Sequence, residues 1–286
     1  MTNGLSVLIS LALGAFVPMG VGVYWIASNL LTIVQQIVLN AVMPPGKYVD
    51  YAALAESRME LDKLDSLSAK MSPEDQHREK ADYKRFFSIA NKHLVFYSEA
   101  SGFYKYYQAV IEYLLAHSNI TIHYVTSDPG DQVFEIAKRQ PRIRPYYIGE
   151  RKLITLMMKM DADMVIMTMP DLDSFHIKRG YVRKDVEYVY ICHGIGSSNL
   201  LLQKFALIHY DTIFCIGDYQ VKELREEERI YQLSAKNLTP VGYRLLDQAM
   251  KEFSALPKHD KGKSQILIAP SWQADNILDI CIDEIA

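Results

Sequence analysis

The stretch "YVYICHGIGSSNL", residues 188–200, runs from alternating, strand-like residues directly into His193, two glycines and two serines. Extended back to Val186 as "VEYVYIC", it belongs to a series of short apolar runs. The others are "HLVFYS" from His93, "ITIHYVT" from Ile120, "PYYIG" from Pro145, "DMVIMTM" from Asp163, "DTIFCIG" from Asp211 and "QILIAPS" from Gln265. Stretches of helical character separate them: "FYKYYQAVIEYLLAHS", "DQVFEIAKRQ", "RKLITLMMKM" and "DYQVKELREEE". Near-continuous apolar strands alternating with helices predict an α/β fold, a Rossmann-like doubly wound parallel sheet covered on both faces.

Such sheets bind ligands outside the C-terminal ends of their strands. The loops to inspect are therefore "SEASGF", "SDPGD", "TMPDLDS", "HGIGSSN", "GDYQ" and "PSWQADN". In "HGIGSSN", Gly194 and Gly196 permit backbone angles that other residues resist, and Ser197, Ser198 and Asn199 are N-cap candidates for a helix "LLLQKFALI". This places an imidazole beside a helix start whose free amides attract phosphate. With an ordinary pKa near 6.5, His193 would be largely neutral at cytoplasmic pH and able to accept a proton. A histidine that merely closes a strand is the competing reading.

Other residues carry weaker signals. Asp171 and Asp173 could bind a cation or a polar ligand, or simply bond their own turn. Asp128, Gly130 and Asp131 read as a turn and an N-cap. Trp272 could stack a base or sugar, or pack at a domain boundary. Cys192, next to His193 in a strand, points to the opposite face and reads as core. Tyr104, Tyr106 and Tyr107 read as surface or membrane-proximal packing. The three cysteines, Cys192, Cys215 and Cys281, form no CxxC pair, which argues against a disulfide framework or structural zinc. No metal site is expected, and a net charge of −3 gives no sign of a nucleic-acid partner.

Composition divides the chain. At 286 residues, 49% hydrophobic and 23% charged, it is globular on average and long enough for two domains. Yet residues 1–46 contain no Asp, Glu, Lys or Arg, and the first charge is Lys47. Residues 19–43, "MGVGVYWIASNLLTIVQQIVLNAVM", would make a helix roughly 37 Å long, enough to span a bilayer with some tilt. Leu5 to Phe16 is apolar but short, a half-helix broken off by Pro18 and Gly20. A cleavable signal peptide fits less well, because no basic segment precedes the apolar run and Asn29, Gln35 and Gln36 interrupt it. Lys47, Arg58, Lys63 and Lys70 follow the span and none precede it, so the C-terminal body is expected in the cytoplasm of a single-pass protein in the cell membrane.

Residues 47–92 hold nine acidic and nine basic side chains, the composition of a solvated helical connector near the membrane. Leu54, Leu61, Leu64 and Met71 form a helical stripe. "SPED" from Ser72 then supplies an N-cap, a first-turn proline and two early acids for a second helix to about Ala90. Four segments are thus expected: membrane (1–46), connector (47–92), Rossmann-like domain (93–263) and the first strand and helix of an incomplete further domain (264–286), as though the reading frame were truncated.

Two parts of the chain resemble known families. "PMGVGVYWIASNLLTIVQQIVLN", residues 18–40, resembles the last transmembrane helix of YidC-type membrane protein insertases, although the rest of their five-helix bundle has no counterpart. From about His93 onward, "YICHGIGSSNL", "YDTIFCIGDYQVKELRE", "NLTPVGYRLLDQ" and "ILIAPSWQADN" resemble, in order, the N-terminal half of the CDP-glycerol glycerophosphotransferases that build teichoic acids of the cell wall. The chain departs from that family in Ile195 and Gly196 after the His-Gly pair, and in Arg244 after Gly-Tyr.

The second resemblance implies a GT-B architecture, of which residues 93–263 would be the acceptor domain, and a transferase reaction. His193 would deprotonate the acceptor hydroxyl. Gly194, Gly196, Ser197 and Ser198 would hold a phosphate, and Ser271 and Trp272 would open the donor domain. The implied partners are the lipid bilayer, the donor substrate CDP-glycerol and a polymer or lipid-linked acceptor, with no separate cofactor. A non-catalytic membrane protein, an insertase-derived helix joined to a binding or scaffold domain, is the alternative.

Overall fold

The computed structural model describes residues 19–43, 47, 50–69, 71–90, 92–174, 177–256 and 268–269. The half-helix expected at 5–16, the strand expected from Gln265, and Ser271, Trp272 and Cys281 lie outside the described residues.

Six of the apolar runs form strands: β1 (Lys92–Ser98), β2 (Ile122–Thr126), β3 (Ile143–Tyr147), β4 (Ala162–Met167), β5 (Glu187–Ile191) and β6 (Thr212–Cys215). A further strand, β7 (Asn237–Pro240), falls in "NLTP", which is not one of the apolar runs. The seven strands make one sheet in the order β3-β2-β1-β4-β5-β6-β7, and every pairing is parallel. Order reverses between β1 and β4, where the chain returns to the sheet centre and continues outward on the other side. In sheets of this kind such a reversal is where ligands bind, outside the strands' C-terminal ends.

Strand alternation sends successive side chains to opposite faces, and the core accordingly has two layers. Val95, Tyr97, Val125, Val165, Met167, Tyr188 and Tyr190 pack on one face with Phe86, Leu153 and Leu156. Leu94, Phe96, Tyr124, Ile166, Val189 and Ile191 pack on the other with Tyr104, Tyr107 and Ile111. The covering helices include α4 (Tyr104–His117), α5 (Val133–Arg139), α6 (Glu150–Met158) and α8 (Asp218–Tyr231).

Ahead of the sheet come α1 (Met19–Val42), α2 (Tyr51–Ala69) and α3 (Pro73–Ser88). Helix α3 starts as its sequence dictates, with the Asp75 amide donating to Ser72 Oγ at 3.0 Å. It is more than a solvated connector, because it closes one edge of the sheet. Phe86 is wholly buried, Asp82 accepts from the Tyr147 amide at 2.9 Å, and Glu79 accepts from the Gly149 amide at 3.1 Å while pairing with Lys152 at 2.6 Å. Helix α1 is long and apolar enough to cross a membrane by length and composition, and none of its apolar window is buried against the protein.

Residues 243–286 form a second compact unit. Its described helix, α9 (Arg244–Ala255), exposes Leu246, Met250 and Phe253 along one face.

Two expectations need correction. Tyr104 and Tyr107 are buried core residues, not surface packing, because α4 turns that face onto β1 and β2. The helix after the two serines is the single turn α7 (Ser198–Leu201) and does not continue through "QKFALI", which folds as turns.

Candidate functional site

Three strand ends converge where the sheet order reverses. From β1 the chain enters Glu99–Phe103, from β4 it enters Thr168–Ser174, and from β5 it reaches His193. Tyr107 ties the first two together. Its hydroxyl donates to the Tyr97 carbonyl at 2.5 Å, accepts from the Thr168 amide at 3.0 Å, and lies 3.1 Å from Thr168 Oγ1.

His193 joins this arrangement through a hydrogen bond to the Thr168 backbone. Its half-buried ring rests against two aromatic rings from the start of α4, with centroids 6.1 Å away for Phe103 and 5.8 Å for Tyr106. Burial lowers the imidazole's pKa below its usual value and outweighs the opposing effect of the Thr168 bond. The ring is therefore neutral at neutral pH and fit to accept a proton.

Glu99 is a residue that sequence inspection passes over, since an acid after a strand looks like a solvated turn. The structure makes it half-buried, and burial raises its carboxyl pKa. Its charge is felt by Tyr97, Tyr107, Tyr190 and Tyr210. Among the described residues no hydrogen bond or ion pair engages its carboxylate. The loop that carries it is pinned on both sides, by Ser98 Oγ donating to the Ala100 carbonyl at 3.0 Å and by the Ser101 amide donating to Asp128 at 2.9 Å.

Asp171 and Asp173 take different parts. Both adopt left-handed backbone angles, φ 61° and 66°, around the fully buried Leu172. Asp173 accepts from the Arg179 amide at 3.1 Å and is structural. Asp171, with its pKa raised by burial, shares the field on Tyr190 and Tyr210 with Glu99. Asp131 serves its turn, accepting from Thr126 Oγ1 at 2.8 Å and from the Val133 amide at 2.9 Å.

The helix start beside His193 is occupied from within the fold. The Ser198 amide donates to the Glu223 carboxylate at 2.9 Å, and Gln220 Nε2 reaches Ser198 Oγ at 2.8 Å and Cys192 Sγ at 3.0 Å. Ser197 is the N-cap residue but makes no side-chain cap. Gly194 and Gly196 lie under Leu201, and a Cβ on Gly196 would stand 2.6 Å from Leu201 Cδ1. Cys192 is core, 7% exposed, its thiol pushed up to about 12 by burial, which suits no nucleophile. Among the described residues no group of His, Cys, Asp and Glu could hold a metal ion. A cavity of about 650 Å³ lies between α7 and α8, lined by Ser198, Lys204, Glu223, Glu227 and Tyr231 among others, and His193 is not in its wall.

Compared with protein-family models, curated proteins and solved structures, the chain matches none.

Proposed function

We propose that the chain is a membrane-anchored glycerophosphotransferase-like protein whose sheet forms the acceptor-side wall of the reaction cleft. The observation that carries this reading is His193: a neutral, half-buried imidazole, fixed by the Thr168 backbone at the point where the sheet order reverses. In the reaction, His193 takes the proton of an acceptor hydroxyl, and the oxygen forms a bond to the β-phosphorus of CDP-glycerol. The bond from that phosphorus to the bridging oxygen breaks, and CMP leaves with the electron pair. Gly194 and Gly196 carry the phosphate contact, because the Ser198 amide is already bonded to Glu223. Ser271 and Trp272 are assigned to the donor.

A full-length form with both walls of the cleft, given CDP-glycerol and a glycerol-phosphate oligomer, should release CMP, and His193→Ala should lower that rate by about 100-fold or more while leaving donor binding nearly intact. No CMP from the unaltered full-length form, or an equal rate from the variant, rejects the reading. Trp272→Ala should weaken donor binding and leave acceptor binding alone.

The alternative, a domain that binds without catalysis, draws on the closed network of Gln220, Ser198 and Glu223, which fills the helix start with the protein's own carboxylate. Unchanged ligand binding in His193→Ala without turnover in either protein would favour it.

A further inference from the structure

We infer that the cavity between α7 and α8 is a binding site for a small organic cation, an alkylammonium or quaternary ammonium group held against the rings of Tyr231 and Phe205. The inference does not depend on the transferase reading, because His193 is not in the cavity wall.

At about 650 Å³ the cavity has the size of a small-molecule site. Tyr231 is in its wall and packs against the ring of Phe205, with centroids 5.1 Å apart and planes at 79°. Two ring faces set nearly at right angles form a corner. Lys204, also in the wall, fills that corner from within the chain: its Nζ lies 3.9 Å from the Tyr231 centroid and 4.8 Å from that of Phe205. The negative face of an aromatic ring attracts an ammonium, so the protein's own cation marks where another would sit. Lys204 is exposed on a flexible stem and can leave the corner to a ligand.

The backbone holds both rings in place. Phe205 has a φ of 69°, a left-handed angle that a bulky residue seldom adopts, and Tyr231 ends α8 directly before the left-handed Gln232. Because Phe205 is exposed, core packing does not explain its angle. Strain of this kind collects where a side chain is held for a ligand.

Charge then selects the ligand's sign. Of the three glutamates in the wall, Glu223 accepts from the Ser198 amide at 2.9 Å and Glu226 accepts from Arg229 Nε at 2.8 Å. Glu227 is half-buried, and among the described residues no hydrogen bond or ion pair engages it. It is the counter-charge that an entering cation would meet. Lys222 and Lys204 are the basic groups of the wall, against three carboxylates, which disfavours an anion.

The test uses the full chain in a maltoside detergent and three probes: choline, its uncharged isostere dimethylbutanol, and phosphocholine. Binding is read by ligand-observed NMR titration, with circular dichroism to confirm folding. The unaltered protein should bind choline about tenfold more tightly than dimethylbutanol. Phosphocholine should bind more weakly than choline, which sets a free ammonium ligand apart from a phospholipid headgroup. Tyr231→Phe should keep choline binding, Tyr231→Leu should weaken it by about fivefold or more, and His193→Ala should leave it unchanged. Lys204→Met should tighten it by about threefold, because the resident ammonium no longer competes. Equal affinity for the isostere, tighter binding of phosphocholine, undiminished binding in Tyr231→Leu, or choline binding in Lys204→Met that is absent or no tighter overturns the proposal.

Discussion

His123 shows how burial alone sets a residue's behaviour. It lies in β2, 3% exposed, with Nδ1 2.9 Å from the Tyr146 hydroxyl and its ring stacked on Tyr146. Burial, followed by the charges of Lys92, Arg144 and Arg85, pushes its pKa down to about 4. In the unfolded chain it returns to about 6.5, so between these values the unfolded state holds more protons. Stability from this group is complete above about pH 6.5 and is lost as pH falls toward 4, with a ceiling of about 3 kcal/mol. Urea unfolding from pH 4.5 to 7 should therefore show a steeper pH dependence for the unaltered protein than for His123→Asn, and parallel profiles would disprove it. Two glycines give a second contrast. A Cβ at Gly149 would lie 2.9 Å from Glu79 Oε1, a carboxylate held by the Gly149 amide and Lys152, whereas at Gly196 it would meet Leu201, which is 60% exposed and can swing away. Gly149→Ala should cost about 1–3 kcal/mol and Gly196→Ala less than about 1 kcal/mol; thermal unfolding that ranks them the other way would show that Leu201 is firmly packed. Glu99 remained invisible in sequence for a related reason, because "SEASGF" carries no sign that its acid is half-buried.

At the level of elements, the sequence made six strands legible through their apolar runs, since a sheet covered on both faces leaves each strand little room for polar residues. Strand β7 was hidden because it lies at the sheet edge, where "NLTP" needs no apolar run and tolerates proline. The single turn of α7 was misjudged because "LLLQKFALI" has helical composition, yet Leu200 and Leu201 stay exposed while Ala206 and Leu207 are drawn into the core. Helix α3 was recognised from its cap, but its charge disguised a structural role: buried Glu79 and Asp82 bond backbone amides of the β3 edge and the following turn instead of water. From this, Phe86→Ala should destabilise the body by about 3–5 kcal/mol, the usual cost of emptying a fully buried aromatic site. A fragment beginning at Ser72 should unfold cooperatively in urea, and one beginning at Lys92 should not. Equal unfolding of the two fragments would return α3 to the status of a linker.

The whole molecule joins two solvents' worth of chemistry. In the body, apolar side chains face inward on both layers of the sheet, and the position of His193 follows from the strand order, which depends on long-range pairing and cannot be read from any one run. Helix α1 does the reverse, presenting Tyr24, Leu31 and Val42 at 67%, 69% and 71% exposure. Such a surface is unfavourable in water and matches the hydrocarbon core of a bilayer, where every backbone group of a helix is already satisfied. The intact chain should therefore stay in the membrane pellet through alkaline carbonate and leave it only with detergent, while the fragment from Ser72 should remain in the supernatant. The lysines and arginines that follow the span predict that the body lies in the cytoplasm. Protease added outside intact cells should leave the body whole and should cut it only after the membrane is opened. Cleavage in intact cells would invert the topology and remove cytoplasmic CDP-glycerol as a substrate, whereas a mature protein whose first residue lies beyond Met43 would show that α1 is a signal sequence.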